Sequence, residues 1–508
     1  MRPVAIVGAG PVGLVCAHLL GLQRRATVLL DKLPALASHP SAHFIHSSSV
    51  EVLRVLGVLP EVLTEMPTSQ HWRHFNYCQS VTGKVYRRHD HLASANFQRN
   101  RELSDLDPIH YPQSKLVQLL AKSLPATCTL RLDREVIQVE QSEDRVKLFT
   151  RQGEIIEADY VLGCDGAHSI IRRLLGIDML GSPALQHFLN IHFTSKQLGQ
   201  LCLTSPAMLY FIYNQQTVAV LVMHNAAEGD FVMQVPFHPP LQQFSHFTEK
   251  DFRGMIDAAV GGKPIGDAVI NSVRPWRMSA EHAASMGSKR VFLVGDSAHK
   301  LPPAGGFGMN LGISDAANVC WKLHFPRLLP SYESERLPRI RSIVNLSRSN
   351  YEKTVQIASN FNLHLSLAQT FEQVCGYLPL GRHLFSTGLQ LGRFLITEQR
   401  AEIYLQKDSN LLDLIYPEAD LLSGYREGFF ESGGGTLGPY LQVQYKGQEM
   451  NARAVPGQVL RETGIPHFVH FQGPTKTVLP SHFPLVTVPI SEPSFVLRPD
   501  SVLYSASK

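Results

Sequence analysis

The most informative segment of this 508-residue chain is VFLVGDSAHKLPPAGGFGMNLGISDAANVCWKL, residues 291–323. An apolar strand predicted over 291–294 ends in Gly295-Asp296, and a Pro-Pro turn with a glycine cluster leads to a helix predicted to begin at Asn310. Open α/β sheets bind ligands at the carboxyl ends of their strands, where this aspartate lies. The uncovered backbone N–H groups and the helix N-terminus favour an electron-rich group. The segment therefore predicts a ligand site at a sheet edge, with an ordinary crossover as the alternative.

The amino terminus, VAIVGAGPVGLVCAHLL over residues 4–20, has the pattern of a dinucleotide-binding unit. A buried strand is followed by Gly8, Gly10 and Gly13 in a GxGxxG arrangement, and then by an apolar helix. The first glycine allows a tight turn, the second lets backbone approach a pyrophosphate, and the third lets helix and strand pack closely. A second strand ends in Asp31, whose carboxylate is placed to accept hydrogen bonds from ribose hydroxyls.

Two other glycine-containing motifs differ in their context. YVLGCDGAHSIIRRLLGI, residues 160–177, is a strand that delivers Asp165-Gly166 into a turn, although a surface turn capping a helix is the alternative for this dipeptide alone. The GxGxxG at residues 433–438 lacks a preceding buried strand and a following helix, and structural context is what gives that motif its meaning. We therefore predict one dinucleotide-binding unit, so that a nicotinamide cofactor has no domain of its own.

In this order, the three motifs resemble the single-component, FAD-dependent aromatic-ring hydroxylases, a family of flavoprotein monooxygenases. The resemblance implies a mixed α/β fold, in which a Rossmann-like FAD-binding domain is interleaved with an antiparallel-sheet substrate domain. Strand-like patterns such as FLNIHF, TVAVLVMH and FVMQVPF support that sheet. A helical region and a short thioredoxin-like-derived tail follow. The predicted units are the FAD-binding domain (1–180 and 281–325), the substrate domain (181–280, with part of 75–110), the helical region (326–408) and the tail (409–508).

The resemblance also implies which residues bind FAD. Gln113 is explained equally well as a plain helix N-terminus, and Met309 has a core side chain as its alternative. Ser41 and Ser48 stand where the family pattern has arginines, which leaves His43 as the nearest cationic candidate. The implied cofactor-binding residues are Gly8, Gly10, Pro11, Val12, Gly13, Asp31, Lys32, His43, Gln113, Asp165, Gly166, Gly295, Asp296, Pro303, Gly306, Gly308, Met309 and Asn310.

The reaction implied by the resemblance uses NAD(P)H as a transient co-substrate together with O2. An electron-rich aromatic or quinone ring would be hydroxylated through a flavin C4a-hydroperoxide, which the protein shields from water. The chain shows no Ser/His/Asp triad or metal-ligand cluster, so no metal is predicted and the catalytic residues stay unassigned. His224, Tyr210 and Tyr213 lie on predicted strands, where such side chains are more often core residues than bases.

Part of the amino-terminal region resembles one branch of the family in more detail. HPSAHFI, SVEVLR and HWRHFNYC, within residues 1–125, are similar to the plant-type flavin-dependent demethoxyubiquinone hydroxylases. That resemblance implies a polyprenyl-quinone substrate of ubiquinone biosynthesis and a mitochondrial location peripheral to the inner membrane. A hydroxylase of a soluble phenol or polyketide, located in the cytoplasm, is one alternative. An FAD-binding scaffold protein without catalysis is the other.

Composition excludes several other classes of protein. The chain is 44% hydrophobic and 18% charged, which is typical of a globular protein. Its formal net charge of +4 comes without a basic run, so no nucleic-acid partner is predicted, and peripheral membrane association stays compatible. Seven cysteines without CxxC spacing favour a reducing compartment. Residues 4–22 are a strand and a glycine-broken helix, not a membrane span, and no presequence is visible. The sequence leaves the oligomeric state open.

Overall fold

The computed structural model describes residues 1–93, 104–240, 242–360, 442–474, 477, 483–490, 494–500 and 503–506. Its strands, numbered in chain order, are β1 Val4–Val7, β2 Thr27–Leu30, β3 Phe44–Ile45, β4 His74–Cys78, β5 Val85–Asp90, β6 Ile109–His110, β7 Cys128–Arg131, β8 Val136–Gln141, β9 Val146–Thr150, β10 Ile155–Ala158, β11 Tyr160–Gly163, β12 Met179–Thr194, β13 Leu209–Tyr213, β14 Val218–Asn225, β15 Asp230–Phe237, β16 Val269–Ala283, β17 Gly287–Ser288, β18 Val291–Leu293, β19 His299–Lys300, β20 Gln442–Tyr445, β21 Gln448–Asn451, β22 Phe468–Gln472, β23 Leu485–Pro489, β24 Phe495–Leu497 and β25 Leu503–Ala506.

The helices are numbered in the same way. Short 3₁₀ turns occupy Phe244–His246, Gly295–Ser297, Pro326–Leu328 and Ala452–Ala454. The α-helices are α1 Pro11–Leu22, α2 Ser47–Leu56, α3 Leu59–Glu65, α4 Ser69–Trp72, α5 Gln113–Lys122, α6 Ile170–Leu174, α7 Lys196–Cys202, α8 Glu249–Val260, α9 Phe307–Lys322, α10 Ser331–Asn360 and α11 Val455–Thr463.

A six-stranded sheet in the order β17-β18-β11-β1-β2-β7 forms the first core. The strands from β18 to β7 are parallel, and β17 is an antiparallel edge. β1 and β11 are buried along their whole length, as expected of parallel strands that helices cover on both faces. Numbered by their order in the chain, the five parallel strands lie in the order 3-2-1-4-5, so the strand order reverses between β1 and β11. Open α/β sheets bind ligands at such a reversal.

The second core belongs to an eight-stranded sheet in the order β19-β16-β12-β15-β14-β13-β4-β5. The neighbours within it are antiparallel except β13 and β4, which are parallel. One face packs against α7 and α8 around Leu189, Ile191 and Phe231. The other face carries the alternate residues of the same strands and meets the loop at residues 39–46. A separate three-stranded sheet, β10-β9-β8, precedes β11.

The carboxyl-terminal part that the structure describes forms its own small core. β20 and β21 pair as a hairpin, and β23-β22-β24-β25 form a four-stranded sheet. α11 packs beside them, and its Gly457 lies so close to Val55 of α2 that an added Cβ would overlap that side chain. The predicted mixed α/β fold class is confirmed. Part of the predicted helical region, 361–408, and the GxGxxG at 433–438 lie outside the described residues.

The structure moves two predicted element boundaries. The strand predicted over 291–294 is Val291–Leu293, and the helix predicted to begin at Asn310 begins at Phe307. The helix starts earlier because Gly306, at φ +64°, takes the left-handed conformation that ends the turn. Among the described residues, the helices are too short or too polar to qualify as membrane spans.

Candidate FAD and substrate site

The glycine loop after β1 lies where the strand order reverses. Gly8 has φ +107°, and an added Cβ would overlap the carbonyl oxygen of Cys164, which follows β11. A Cβ on Gly13 would in turn overlap the carbonyl oxygen of Gly8. Gly10 differs from both, because no heavy atom outside Gly10 and its two chain neighbours lies within 4 Å of the place where its Cβ would be. Two of the glycines therefore serve close packing, whereas Gly10 borders an opening.

Asp31 follows β2 and connects the adjacent loops. Its Oδ2 accepts a hydrogen bond of 2.7 Å from the N–H of Ala9, and its Oδ1 accepts one of 2.9 Å from the N–H of Leu33. Each carboxylate oxygen retains a second lone pair for a ligand. Pro11 is the first residue of α1, where a proline's missing N–H costs nothing, and Lys32 is exposed. Asp31 thus fastens the glycine loop and still has acceptor capacity.

Asp165-Gly166 lies directly across from the glycine loop. Oδ2 of Asp165 accepts from the N–H of Ile171 at 3.0 Å, whereas its buried Oδ1 has no partner among the described residues. Burial raises the pKa of this carboxyl above its ordinary value. Gly166 has φ +77° and open space where a side chain would be. Arg172 connects this turn to the next one, because its Nη1 donates to the carbonyl of Ser297 at 2.7 Å.

The Gly295-Asp296 turn presents a carboxylate without a protein partner. No hydrogen bond from a described residue reaches the Asp296 side chain, and its Oδ1 lies 3.8 Å from the place of a Cβ on Gly308. The side chain has accessible surface, yet desolvation by the protein atoms around it raises its pKa. Both properties are those of a carboxylate at the floor of a cleft. Gly295, at φ +70°, packs against Val12 of α1.

Asp315 is a site residue that sequence reasoning missed. It is fully buried on α9, and its Oδ2 accepts from the N–H of Gly295 at 3.1 Å and from Nε2 of His299 at 2.8 Å. Its Oδ1 accepts from Nε of Arg336 at 2.7 Å. Burial opposes ionisation, but Arg336 and His299 outweigh it, so the pKa of Asp315 lies below its ordinary value. In the sequence, Asp315 could have been recognised as the one carboxylate within the otherwise mostly apolar helical segment GISDAANVC.

The first turn of α9 faces the same cleft. Pro303 is exposed, and its carbonyl accepts from the N–H of Gly306 at 2.9 Å. The Asn310 side chain bonds the backbone of Phe44 at 2.9 Å, so it is committed to the protein and leaves only its backbone for a ligand. The Met309 side chain lies in the main core, as its alternative explanation predicted. What α9 offers a ligand is therefore its free first-turn N–H groups.

His43 is not the cation that its position suggested. Burial, and then the neighbouring imidazoles of His110 and His224, lower the pKa of His43 well below its ordinary value. The ring is therefore neutral near pH 7, and the expectation of a cationic residue is wrong. Gln113 begins α5, and its Oε1 accepts from the N–H of Ala42 at 3.2 Å. Both residues lie at the junction between the cleft and the eight-stranded sheet.

The face of the eight-stranded sheet that meets this junction is partly polar. Asn190 of β12 is the cross-strand neighbour of Gln234 on β15 and of Arg274 on β16. Oδ1 of Asn190 is buried and has no partner in the described part of the chain. Two residues along, Phe188 and Trp276 stack with ring centroids 5.7 Å apart. An aromatic ring with polar substituents fits such a surface, since it offers apolar contact beside hydrogen-bonding groups.

Tyr210 and Tyr213, which the sequence places on strands, are buried core residues. Tyr210 is buried in the core behind the sheet, and its hydroxyl donates to the carbonyl of Ser205 at 3.0 Å. Tyr213 is buried in an aromatic cluster with Tyr77 and Phe211. Burial raises the pKa of both tyrosines above the ordinary value of 10. Neither hydroxyl is a base for catalysis.

Together these features fit FAD. The opening beside Gly10 suits a pyrophosphate, and the unpartnered carboxylates of Asp296 and Asp165 suit ligand hydroxyl or N–H groups. The first turn of α9 suits the electron-rich edge of a flavin. Gly10, Asp31, Asp165 and Asp296 supply these features, whereas Lys32 is exposed and the Met309 side chain lies in the main core.

Comparison with known proteins identifies the family. The family described as FAD binding domain matches residues 1–347, well over half of the chain. The chain belongs to this family, and FAD is its cofactor.

Individual relatives are moderately similar to the chain. A 2,4-dichlorophenol 6-monooxygenase of Delftia acidovorans is 26% identical over 374 residues, which cover 67% of this chain and 61% of the relative. A dialkyldecalin synthase of Streptomyces rugosporus is 30% identical over 354 residues, which cover 66% of this chain and 69% of the relative. For three of the curated relatives, the match spans 55–63% of their length.

A solved structure has the same overall fold. The flavin-dependent monooxygenase PieE, solved in complex with FAD and substrate, superposes with a TM-score of 0.82 at 21% sequence identity. The superposition covers 100% of this chain and 96% of PieE. At this identity the likeness establishes the fold.

Proposed function

We propose that this protein is an FAD-dependent monooxygenase that hydroxylates an electron-rich aromatic ring, with NAD(P)H as reductant and O2 as the oxygen source. The observation that supports the proposal most is the junction at residues 39–46. That loop holds the start of α9 on one side and touches the partly polar sheet face on the other. A ring on the sheet face would therefore lie beside the flavin edge.

The chain's own residues would bind, orient and shield. Asp31 and Asp296 would accept hydrogen bonds from hydroxyls of the cofactor, and Gly10 would admit its pyrophosphate. Phe188 and Trp276 would hold an aromatic substrate, with Asn190 as a hydrogen-bonding partner. Bound FAD supplies the reduction of O2 and the delivery of one oxygen atom. The buried aromatic cluster that includes Phe44 and Trp72 would keep water away from one side of the junction, which would strengthen the polar contacts inside it.

For the substrate we favour a phenol or a related polyketide. The 2,4-dichlorophenol 6-monooxygenase acts on a phenol by its name, and it aligns with two thirds of this chain. The polyprenyl-quinone substrate stays a prediction from the amino-terminal resemblance. Its long apolar tail would add binding energy at about 25 cal/mol per Å² buried. Mitochondrial location and peripheral membrane association follow only from that second substrate.

Oxygen incorporation tests the proposed function. The FAD-loaded enzyme would be mixed with NADH or NADPH, ¹⁸O₂ and each of a set of aromatic compounds: resorcinol, p-hydroxybenzoate, 2,4-dichlorophenol and demethoxyubiquinones with short and long tails. Mass spectrometry would follow the product. We expect a ring product that carries one ¹⁸O atom.

The outcomes separate the alternatives. Labelled product from the phenols supports the phenol substrate, whereas labelled product that rises only with tail length supports the quinone. Oxidation of NAD(P)H without labelled product from any ring would overturn hydroxylation and favour a scaffold or another flavin-dependent reaction. That distinction matters because one relative is named a synthase.

A further inference from the structure

Three histidines from separate segments meet where the loop at residues 39–46 touches the eight-stranded sheet. His43 lies just before β3, His110 lies on β6, and His224 lies on β14. Nδ1 of His43 and Nδ1 of His110 are 3.3 Å apart. The ring of His224 lies edge-on to His43, with centroids 5.2 Å apart and an interplanar angle of 84°.

The hydrogen bonds fix where each proton lies. Nε2 of His110 is 3.0 Å from the carbonyl oxygen of His224, and because a carbonyl only accepts, His110 carries its proton on Nε2. A neutral His110 then has its lone pair on Nδ1. His43 must therefore donate its Nδ1–H to His110. Nε2 of His43 is left as a hydrogen-bond acceptor.

The three rings are neutral near pH 7. Burial lowers the pKa of His110 to about 4 and that of His224 to about 3. The pKa of His43 is lowered well below its ordinary value for the same reason, and by its imidazole neighbours. A proton added to any ring would repel its neighbours in a desolvated cluster. The pattern of donors and acceptors therefore persists across the physiological range.

His43 is placed between the two halves of the site. Its neighbour Phe44 accepts from the Asn310 side chain on α9, while His43 itself contacts His224 of the sheet. The His43 side chain is half-buried, and no described residue bonds its Nε2. This acceptor is therefore open to a ligand at the junction.

We propose that Nε2 of His43 accepts a hydrogen bond from the protonated hydroxyl of the aromatic substrate, and that His110 is the positioning residue that fixes the tautomer. The inference rests on the proposed function. A neutral lone pair attracts an O–H donor but repels a phenolate or a phosphate oxygen. The site would thus select neutral phenols and hydroquinols. A hydroxyl of FAD is the other source of the same chemistry, and the experiment separates the two.

Binding of 2-naphthol and of 2-methoxynaphthalene to the FAD-loaded enzyme tests the proposal by calorimetry, without turnover. In 2-methoxynaphthalene a methyl group replaces the hydroxyl proton of 2-naphthol, so that only 2-naphthol can donate a hydrogen bond. His43→Phe removes the acceptor at similar size, whereas His43→Gln keeps an acceptor oxygen near the Nε2 position. His246→Phe, at an exposed histidine, is the matched control. FAD affinity of each variant would be measured separately by titration.

We expect His43→Phe to weaken 2-naphthol binding by about 10- to 100-fold, the cost of one lost hydrogen bond in a partly desolvated site. Binding of 2-methoxynaphthalene and affinity for FAD should not change, and His43→Gln should restore most of the loss. Equal weakening of both probes, or unchanged 2-naphthol binding, would overturn the proposal. Weaker FAD binding with unchanged probe binding would instead assign the acceptor to the cofactor.

The role of His110 has its own variants. His110→Asn retains an acceptor near the Nδ1 position, whereas His110→Gln retains only the donor toward His224. We expect His110→Asn to bind 2-naphthol like the unaltered protein and His110→Gln to bind it more weakly. The reverse order would overturn the tautomer assignment. Because these are binding measurements, they succeed or fail independently of whether any ring is hydroxylated.

Discussion

Asp296 combines accessible surface with strong desolvation and has no hydrogen-bond partner among the described residues. A desolvated acceptor without a partner is stabilised when a ligand donates hydrogen bonds to it from its hydroxyl groups. We predict that Asp296→Ala weakens FAD binding by about 1–3 kcal/mol, because the cofactor's hydroxyls lose their acceptor. Flavin absorbance after gel filtration measures the retained cofactor. Asp144→Ala, at a side chain that is 66% exposed, is the control and should retain FAD fully.

Gly10 differs from its neighbouring glycines in having empty space above it. Its φ of −74° suits any residue, so Gly10→Ala should fold without strain. The added methyl group would occupy the place predicted for the pyrophosphate, and we expect a thermal midpoint of the apoprotein within a few degrees of the unaltered value but a clearly raised Kd for FAD. Gly254→Ala, on α8 and also without a neighbour within 4 Å, should leave FAD binding unchanged. Equal FAD affinity in both variants would remove Gly10 from the site.

Helices α1 and α9 pack so closely at Gly312 of α9 that there is no room for a side chain at this position. A Cβ on Gly312 would lie 2.6 Å from Cγ2 of Val12 and 3.0 Å from Cα of Gly295. We predict that Gly312→Ala destabilises the protein by about 1–3 kcal/mol, the usual cost of overpacking a core. Val12→Ala in the same chain should restore part of the loss by making room. Thermal unfolding of the single and double variants measures this coupling, and strict additivity would contradict it.

Helix α9 begins at Phe307, three residues before the start that the sequence predicts. Gly305, Gly306 and Gly308 lower the local preference for a helix, so the sequence indicated a later start. In the structure, burial of Phe307 and the bonds of Asn310 to the loop at residues 44–46 stabilise the first turn. Packing outweighed propensity, as it commonly does when a helix lies against a sheet.

The carboxyl-terminal part is attached to the FAD-binding part through a buried ion cluster. Arg498 bonds both oxygens of Glu335 on α10 at 2.9 and 2.8 Å, and it also bonds Asp500. The Arg498 and Glu335 side chains are fully buried. We predict that Arg498→Met destabilises the protein by about 3–5 kcal/mol, because it leaves a buried carboxylate without its bidentate partner.

Thermal unfolding would measure the Arg498→Met loss against a matched variant. Lys446 pairs with Glu462 at the surface, where its side chain is 64% exposed. Lys446→Met should lower the thermal midpoint far less, because an exposed ion pair is screened by solvent. Similar shifts for the two variants would mean that the buried cluster does not hold the carboxyl-terminal part in place.

Buried neutral histidines should make the whole molecule sensitive to mild acid. Burial lowers the pKa values of four histidines to between about 3 and 4; they are His46, His91, His110 and His224. Histidines in the unfolded chain titrate near 6.5, so below pH 6.5 the unfolded state binds more protons than the folded state. Stability is therefore lost as pH falls from about 6.5 toward 4. The raised pKa values of Asp165 and Asp296 oppose this trend, but fewer groups are involved.

A series of thermal midpoints between pH 8 and pH 4.5 tests this expectation. We expect a midpoint that is level above pH 7 and falls steeply below pH 6.5. His110→Gln, which removes one titrating ring and keeps the donor to His224, should make the fall shallower. A midpoint that does not change between pH 7.5 and pH 5 would contradict the assignment.

The order of the cofactor motifs, the mixed α/β class and the carboxylates at the strand ends can all be predicted from the amino-acid sequence. These features are local, because a backbone conformation that needs glycine and an acid after an apolar strand can be recognised within about twenty residues. Gly8, Asp165 and Asp296 needed no knowledge of distant contacts. The same local signals suggested a cation at His43, whose pKa burial lowers well below its ordinary value.

Roles that depend on partners far away along the chain become visible in the folded molecule alone. Asp315 supports the Gly295 turn through Arg336 on another helix, and Arg498 is neutralised by Glu335, 163 positions away. The charge of His43 depends on burial and on two histidines from other strands. Charge and hydrogen-bonding state follow from desolvation and from neighbours in space, which spacing along the chain does not specify.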